Sequence, residues 1–178
     1  MPALRDAYIT GTGVSLPGLP VGVDRMEDFL GRIGGRDSLL GRRALRWNGV
    51  ETRHYALGTD GVPYTSNAGM TAEAVRGALE AAGLGREDLS FLAAATTQGD
   101  YLVPGHAAAV HGELGGGPLE IASFQSVCGS SLMAAKAAWL PVREMARAAA
   151  TRRTAVRPVP SVIEGKNHTV AGSSVVGC

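Results

Sequence analysis

Cysteine is nearly absent. The two in 178 residues, Cys128 and Cys178, cannot build a disulfide framework, and the second is the last residue of the chain. A reducing compartment is expected, and the chain reads as cytosolic. An excess of one charge is lacking as well: 17 Lys+Arg against 16 Asp+Glu leave a formal +1, without the basic surplus that nucleic acid or an anionic membrane surface requires. No apolar run approaches the roughly 18 residues of a membrane span, and the N-terminal MPALRDAYITGTGV has no apolar core behind a basic stretch. Nucleic-acid and membrane partners are therefore not expected. What remains is a globular composition, 45% hydrophobic and 19% charged, with small residues carrying much of it. At this length one core is the starting expectation.

The pattern along the chain alternates strands and helices. Residues 7–14, AYITGTGV, read as a short strand closed by Leu16-Pro17-Gly18. Gly11 and Gly13 resemble the start of a dinucleotide fingerprint, but the third glycine falls on Leu16, so that reading is rejected. Asp24 is expected to cap a short helix to Ile33 with Met26, Phe29, Leu30 and Ile33 on one face. A clearer helix follows, capped by Thr65, Ser66 or Asn67; its stripe is Ala68, Thr71, Ala72, Val75, Leu79 and Ala82, and Gly83-Leu84 stops it. SFLAAATT (90–97) reads as a buried strand, Pro104–Leu114 as a helix ended by three glycines, and LEIASFQ (119–125) as a strand. Cys128-Gly129-Ser130-Ser131 then opens the strongly helical LMAAKAAWL, predicting a helix from about 129 to at least 139. Such alternation argues for an α/β layered fold.

Past Leu140 the composition changes. Residues 1–140 carry 11 Lys+Arg and 14 Asp+Glu, net −3, whereas 141–178 carry 6 and 2, net +4. Pro141 is expected to kink or stop its helix. Pro158 and Pro160 exclude a central strand across 156–160, so an irregular tail is expected over 141–178.

Cys128 stands near a helix start, where unpaired N–H groups and the helix dipole favour a thiolate nucleophile. A small buried hydrophobe is the ordinary alternative. His106 and His111, five apart, do not share a helix face and read as surface or packing histidines.

The order of segments carries more than any one of them. AYITGTGVSLPG, NGVETRHYA (48–56), MTAEAVRGALEAAGLGREDLSFLAAATT (70–97), Pro104 ahead of a helix, and SFQSVCGSSLMAA (123–135) together resemble the first half of 3-oxoacyl-ACP synthase III and its relatives, the thiolase-fold condensing enzymes, over about residues 5–140. The resemblance implies the first half of a thiolase-like fold, a mixed sheet flanked by helices, with the nucleophile helix following a strand. Domain limits follow from it: 1–140 for that half, and 141–178 for a tail unlike the family.

The family's active-site cysteine falls on Cys128. The chemistry implied is acyl transfer from acyl-CoA to that thiol, then decarboxylative condensation with malonyl-ACP in fatty-acid or polyketide assembly. Acyl-CoA and acyl carrier protein are then substrates. No resident cofactor or metal is implied, and a homodimer is expected of the intact enzyme. The backbone N–H of Cys128 is a candidate oxyanion donor, and Gly129, Ser130 and Ser131 are small enough either to admit substrate or simply to pack.

Departures are equally plain. Aligned on Gly49, Arg43 stands where the family's CoA-gripping Trp is expected and Trp47 where its Arg is expected. Arg42, Arg43, Arg46 and Trp47 remain candidates for a pantetheine-linked phosphate or an acidic carrier protein, with a solvated helix face as the alternative. Arg53 matches a basic position of the family segment with the same ambiguity. Asn167 and His168 stand in neither the His-Gln-Ala-Asn nor the Gly-Asn-Thr context of the family's second half. Three readings therefore stand: a condensing acyltransferase, a truncated or frameshifted inactive chain, and a non-catalytic partner of a full-length subunit.

Overall fold

The structure, a computed structural model, describes residues 7–151, with side chains through residue 142. The Pro158/Pro160 segment, Asn167, His168 and Cys178 lie outside the described residues. The chain divides into two units, Ser15–Ser66 and a second made of Met1–Val14 with Asn67–Cys178. Both hydrophobic clusters found among the described residues lie in the second of these.

In the second unit, the helix α3 (Asn67–Ala82) forms where its apolar spacing predicts, burying Ala68, Thr71, Ala72, Val75 and Leu79. Gly83 ends it at φ +67°, and the Leu84 N–H donates to the Leu79 carbonyl at 2.9 Å; a left-handed residue here favours glycine. A distant carboxylate also serves the N-terminus of this helix. Both carboxylate oxygens of Asp100 accept from α3, one from the Asn67 N–H and one from the Ala68 N–H, each at 2.8 Å, which places an anion on the positive end of the helix dipole.

Strands β3 (Phe91–Thr96) and β4 (Glu120–Gln125) pair in parallel, Phe91 opposite Glu120 through Thr96 opposite Gln125. The helix α4 (His106–Leu114) crosses between them, and α5 (Ser130–Thr151) follows β4. Every residue of β3 is buried, because its alternate side chains meet different partners. Leu92 and Ala94 pack with Val75, Leu79, Ala107 and Val110 of α3 and α4. Phe91, Ala93 and Ala95 pack with Ala134 and Ala138 of α5. The last turn of α4 is closed by two cations: Arg76 Nη2 donates to the Glu113 carbonyl and Arg86 Nε to that of Gly115, at 2.5 and 3.0 Å.

Residues 7–14 form no strand. A strand needs a paired ladder, and this segment lies against a helix instead. A Cβ at Gly11 would collide with the Ala78 carbonyl oxygen of α3, and one at Gly13 with that of Ala74. The two glycines that mimic a nucleotide fingerprint therefore serve a close backbone approach. Pro141 corrects a second expectation: the backbone stays helical through it to Thr151, so an irregular tail does not begin at 141. Proline removes one donor from the ladder, and the helix-favouring residues on both sides carry the helix past it.

In the unit Ser15–Ser66, strands β1 (Val21–Gly22) and β2 (Thr52–Arg53) pair antiparallel. The described sheets are thus one antiparallel and one parallel pair in an α/β framework. The expected helix from Asp24 to Ile33 is a 3₁₀ turn, Val23–Arg25, followed by α1 (Met26–Leu30). It stops where Gly31 takes φ +78°. Leu30 and Ile33 are exposed, and the buried member of α1 is Glu27. A helix α2 (Leu39–Trp47) follows, capped by the Ser38 hydroxyl, which accepts from the Gly41 N–H at 3.1 Å.

Candidate functional site

Cys128 lies in the turn between the end of β4 at Gln125 and the start of α5 at Ser130, with an exposed, free thiol. The expected helix from about 129 begins at 130. The turn is held by Ser130, which is buried and whose hydroxyl lies within reach of the Ser126 and Val127 carbonyls, at 3.3 and 3.1 Å. The Ser130 N–H donates to the Val127 carbonyl at 3.1 Å, and the Ser131 hydroxyl to that of Cys128 at 3.4 Å. Ser130 is therefore bound to the backbone and positions the turn that carries the thiol. Serine at a helix start commonly makes such local bonds, so this role was readable beside the cysteine. Val127, Leu132 and Met133 are exposed on the same turn and first helical turn.

A polar cluster occupies the C-terminal end of β3. Asn67 Nδ2 donates to Thr96 Oγ1 at 2.9 Å and to the Gln98 carbonyl at 2.8 Å. His106, 6% exposed, sits 3.3 Å from Thr71 Oγ1 through Nε2, while its Nδ1 has no hydrogen-bond partner among the described residues. The Thr71 hydroxyl lies 2.9 Å from the Asn67 carbonyl; donating there, it is free on its lone pairs to accept from Nε2–H. Burial pushes the His106 pKa below its ordinary value, against the opposing pull of Asp100. His106 is thus a packing histidine. His111 approaches the Gly117 carbonyl at 3.2 Å. Asp100, 33 residues from Asn67, gives no local signal of its capping role in the sequence.

In the unit Ser15–Ser66, Arg42, Arg43, Arg46 and Trp47 come together on α2 and, with Leu39, line one hollow. Arg42 is not available to a ligand. Its guanidinium pairs with Glu27 at 2.6 Å and with Asp37 at 2.8 Å, and Glu27 Oε1 also accepts from the Ser38 N–H at 2.8 Å. Hydrogen bonding from Arg42 holds the Glu27 carboxyl below the usual carboxylate range. Arg53 stands apart from α2, in β2 opposite Val21, with its Nε buried and without a hydrogen-bond partner among the described residues. No group of three or more His, Cys, Asp or Glu side chains among the described residues is placed to hold a metal, and no described helix is long and apolar enough to cross a membrane.

No family model matches the chain. A beta-ketoacyl-[acyl-carrier-protein] synthase III of Hyphomonas neptunium is 33% identical over 130 residues, which are 73% of this chain and 36% of that protein. Among solved structures, AbyA1, a tetronic acid condensing enzyme, superposes with a TM-score of 0.59 at 25% identity, over 82% of this chain and 41% of that one. The 3-oxoacyl-[acyl-carrier-protein] synthase III of Aquifex aeolicus VF5 gives 0.60 at 20% identity, over 79% and 41%. The chain thus spans about 36% of the curated relative and about 41% of these two structures.

Proposed function

We propose that this chain, which carries a 3-oxoacyl-ACP synthase III-like segment of the thiolase fold, takes an acyl group from a thioester donor onto Cys128. The observation that carries this reading is the exposed thiol on a braced strand-to-helix turn. In the transfer the Cys128 thiolate attacks the thioester carbonyl. The carbon–sulfur bond to the donor breaks, and the donor leaves as a thiolate that takes up a proton. Exposed Val127 on the turn and Met133 at the start of α5 supply apolar surface beside the thiol for the acyl chain.

Acyl-CoA or an acyl carrier protein is the donor in this reading, and Arg43, Arg46 and Trp47 on α2 offer, within Ser15–Ser66, a charged and stacking surface for a phosphate or an acidic protein. Condensation with malonyl-ACP is a separate matter. Decarboxylation develops an enolate, and the 178 residues contain no His or Asn in the family's second-half motif contexts; loss of one preorganised oxyanion donor typically costs about 10²–10³ in rate. The chain by itself is therefore read as stopping at the acyl-enzyme, within fatty-acid or polyketide assembly in the cytosol. Pairing with a second copy is part of this reading, supported by the exposure of Leu132, Trp139 and Leu140 on α5.

The test is incubation of the purified chain with labelled acyl-CoA and malonyl-ACP, followed by mass spectrometry of the protein and the carrier. Label on Cys128, absent from Cys128→Ala, is the expected result. Absence of label refutes acyl transfer, and ketoacyl product above the Cys128→Ala control refutes the arrest.

A further inference from the structure

We propose that Asn67 is a positioning residue for Cys128: its side-chain amide fixes the end of β3, and the end of β3 holds the turn that carries the thiol. This rests on the assignment of Cys128 as the acyl acceptor made above, and adds the residue that places it.

The link runs through Thr96, the last residue of β3 and 7% exposed. Its carbonyl accepts from the Ser126 N–H at 3.4 Å, a bond that ties the first residue after β4 to the neighbouring strand. The hydroxyls of Ser130 and Ser131 brace the turn only against the start of α5, so the place of the turn relative to the sheet depends on how Thr96 presents its carbonyl. The Thr96 side chain sets that direction. Its Oγ1 accepts from the Gln98 N–H at 3.3 Å and donates to the Gln98 carbonyl at 2.8 Å, a local turn that bends the chain out of β3.

Asn67 closes this turn from outside. Its Nδ2 donates to Thr96 Oγ1 at 2.9 Å and to the Gln98 carbonyl at 2.8 Å. A carbonyl only accepts, which fixes the amide with its nitrogen toward Gln98. Asn67 begins α3, whose first N–H groups are held by Asp100, so the amide reaches β3 from a helix end that is itself anchored. Its Oδ1 is buried and has no hydrogen-bond partner among the described residues. An unpaired buried acceptor lowers stability, and a shorter or apolar side chain would avoid that cost; the donors of the amide account for its presence. These groups and Cys128 belong to one unit. Attack on a thioester carbonyl needs the sulfur closely placed, and a misplacement of about 1 Å costs on the order of 10²-fold in rate.

The experiment compares the full chain with Asn67→Ala, Asn67→Asp, Thr96→Val and Thr96→Ser, by hydrogen exchange of the Ser126 amide and by the rate of Cys128 acylation from labelled acetyl-CoA. Exchange is expected to rise about tenfold in the first three and to stay within about twofold in Thr96→Ser, which keeps the hydroxyl. Acylation at saturating donor is expected to fall at least about tenfold in the same three, with the half-saturating donor concentration unchanged. Asn67→Ala/Thr96→Val should be no slower than the worse single variant, since both act on one link. Unchanged exchange in Asn67→Asp overturns the inference, because that variant keeps the shape and loses the donors. So does a loss as large in Thr96→Ser as in Thr96→Val, or a rise in half-saturating donor with the saturated rate unchanged. Where Asn67→Ala or Thr96→Val fails to fold, Asn67→Asp against Thr96→Ser carries the same comparison. An unsubstituted chain that takes up no acetyl group refutes acyl transfer from that donor, and the exchange of Ser126 still decides the positioning.

Discussion

The two units of this chain are held together by different means. Around β3 and β4 the stabilising element is close packing of small side chains: Ala93 and Ala95 against Ala134 and Ala138 on one face, and Leu92 among Val75 and Val110 on the other. In Ser15–Ser66 a charged pair shares the interior with Val21, Val23 and Tyr55. A carboxylate 4% exposed, Glu27, joins α1 to the start of α2 through Arg42 and the Ser38 N–H, beside a stacked pair of rings, Phe29 and Tyr55, 5.0 Å apart. The first kind of core tolerates no change of volume. The second tolerates no loss of a partner, because a buried charge stripped of its counter-charge is costly.

Leu92→Ala should have the largest effect, a loss of about 2–5 kcal/mol from a fully buried position, read by urea unfolding and by hydrogen exchange in peptides of β3, α3 and α4. Unchanged exchange there would break the account of this core. Gly13→Val comes next, about 1–3 kcal/mol, because its Cβ collides with the Ala74 carbonyl. Protection of residues 7–14 in a β-ladder would contradict the packing described for Gly13.

Acid separates the two units. His106 is neutral in the fold with a pKa below its ordinary 6.5, so as pH falls through 6.5 the unfolded chain binds the proton first and stability falls with it. The Glu27 carboxyl is held below 4.5, so its contribution is present above 4.5 and is lost only as pH falls through the lower folded value. Hydrogen exchange across pH 7 to 3 should show α3 and α4 peptides loosening before those of α1 and α2. His106→Gln should flatten the first of these transitions, and an unaltered profile would remove His106 as its cause.

Glu27→Ala should raise exchange of the Ser38 amide about tenfold, from loss of its acceptor, with little change at β3. The smallest effect belongs to Arg43→Ala, expected within about 0.5 kcal/mol of the unsubstituted chain, since that side chain is exposed. A substantial drop in Tm would show that Arg43 helps hold Ser15–Ser66 together, and would turn the comparison against a free α2 face.

Legibility followed sequence separation. The stripe of α3, both strands of the parallel pair and the start of α5 were readable because each is written in neighbouring residues. Asp100 on the α3 N-terminus and Glu27 on Arg42 were not, being 33 and 15 residues from their partners. Arg42 shows the consequence for the candidate site: its residue type suggested a ligand contact, and its neighbours in space occupy it. Cys128 was legible in place, as a cysteine at a predicted strand-to-helix turn, and the serine type at a helix start signals the local bonds of Ser130, while its burial needed the coordinates.

By itself the sequence determined the α/β alternation, the family resemblance and the position of the thiol, because periodicity, caps and segment order are local and additive. Only the tertiary structure decided that Gly11 and Gly13 meet a helix instead of forming a strand, that the helix runs through Pro141, and that of the arginines of α2 Arg42 is spent within the fold while Arg43 and Arg46 face outward. Each of these depends on which distant groups come within a few ångströms, and close approach is a property of the packed chain.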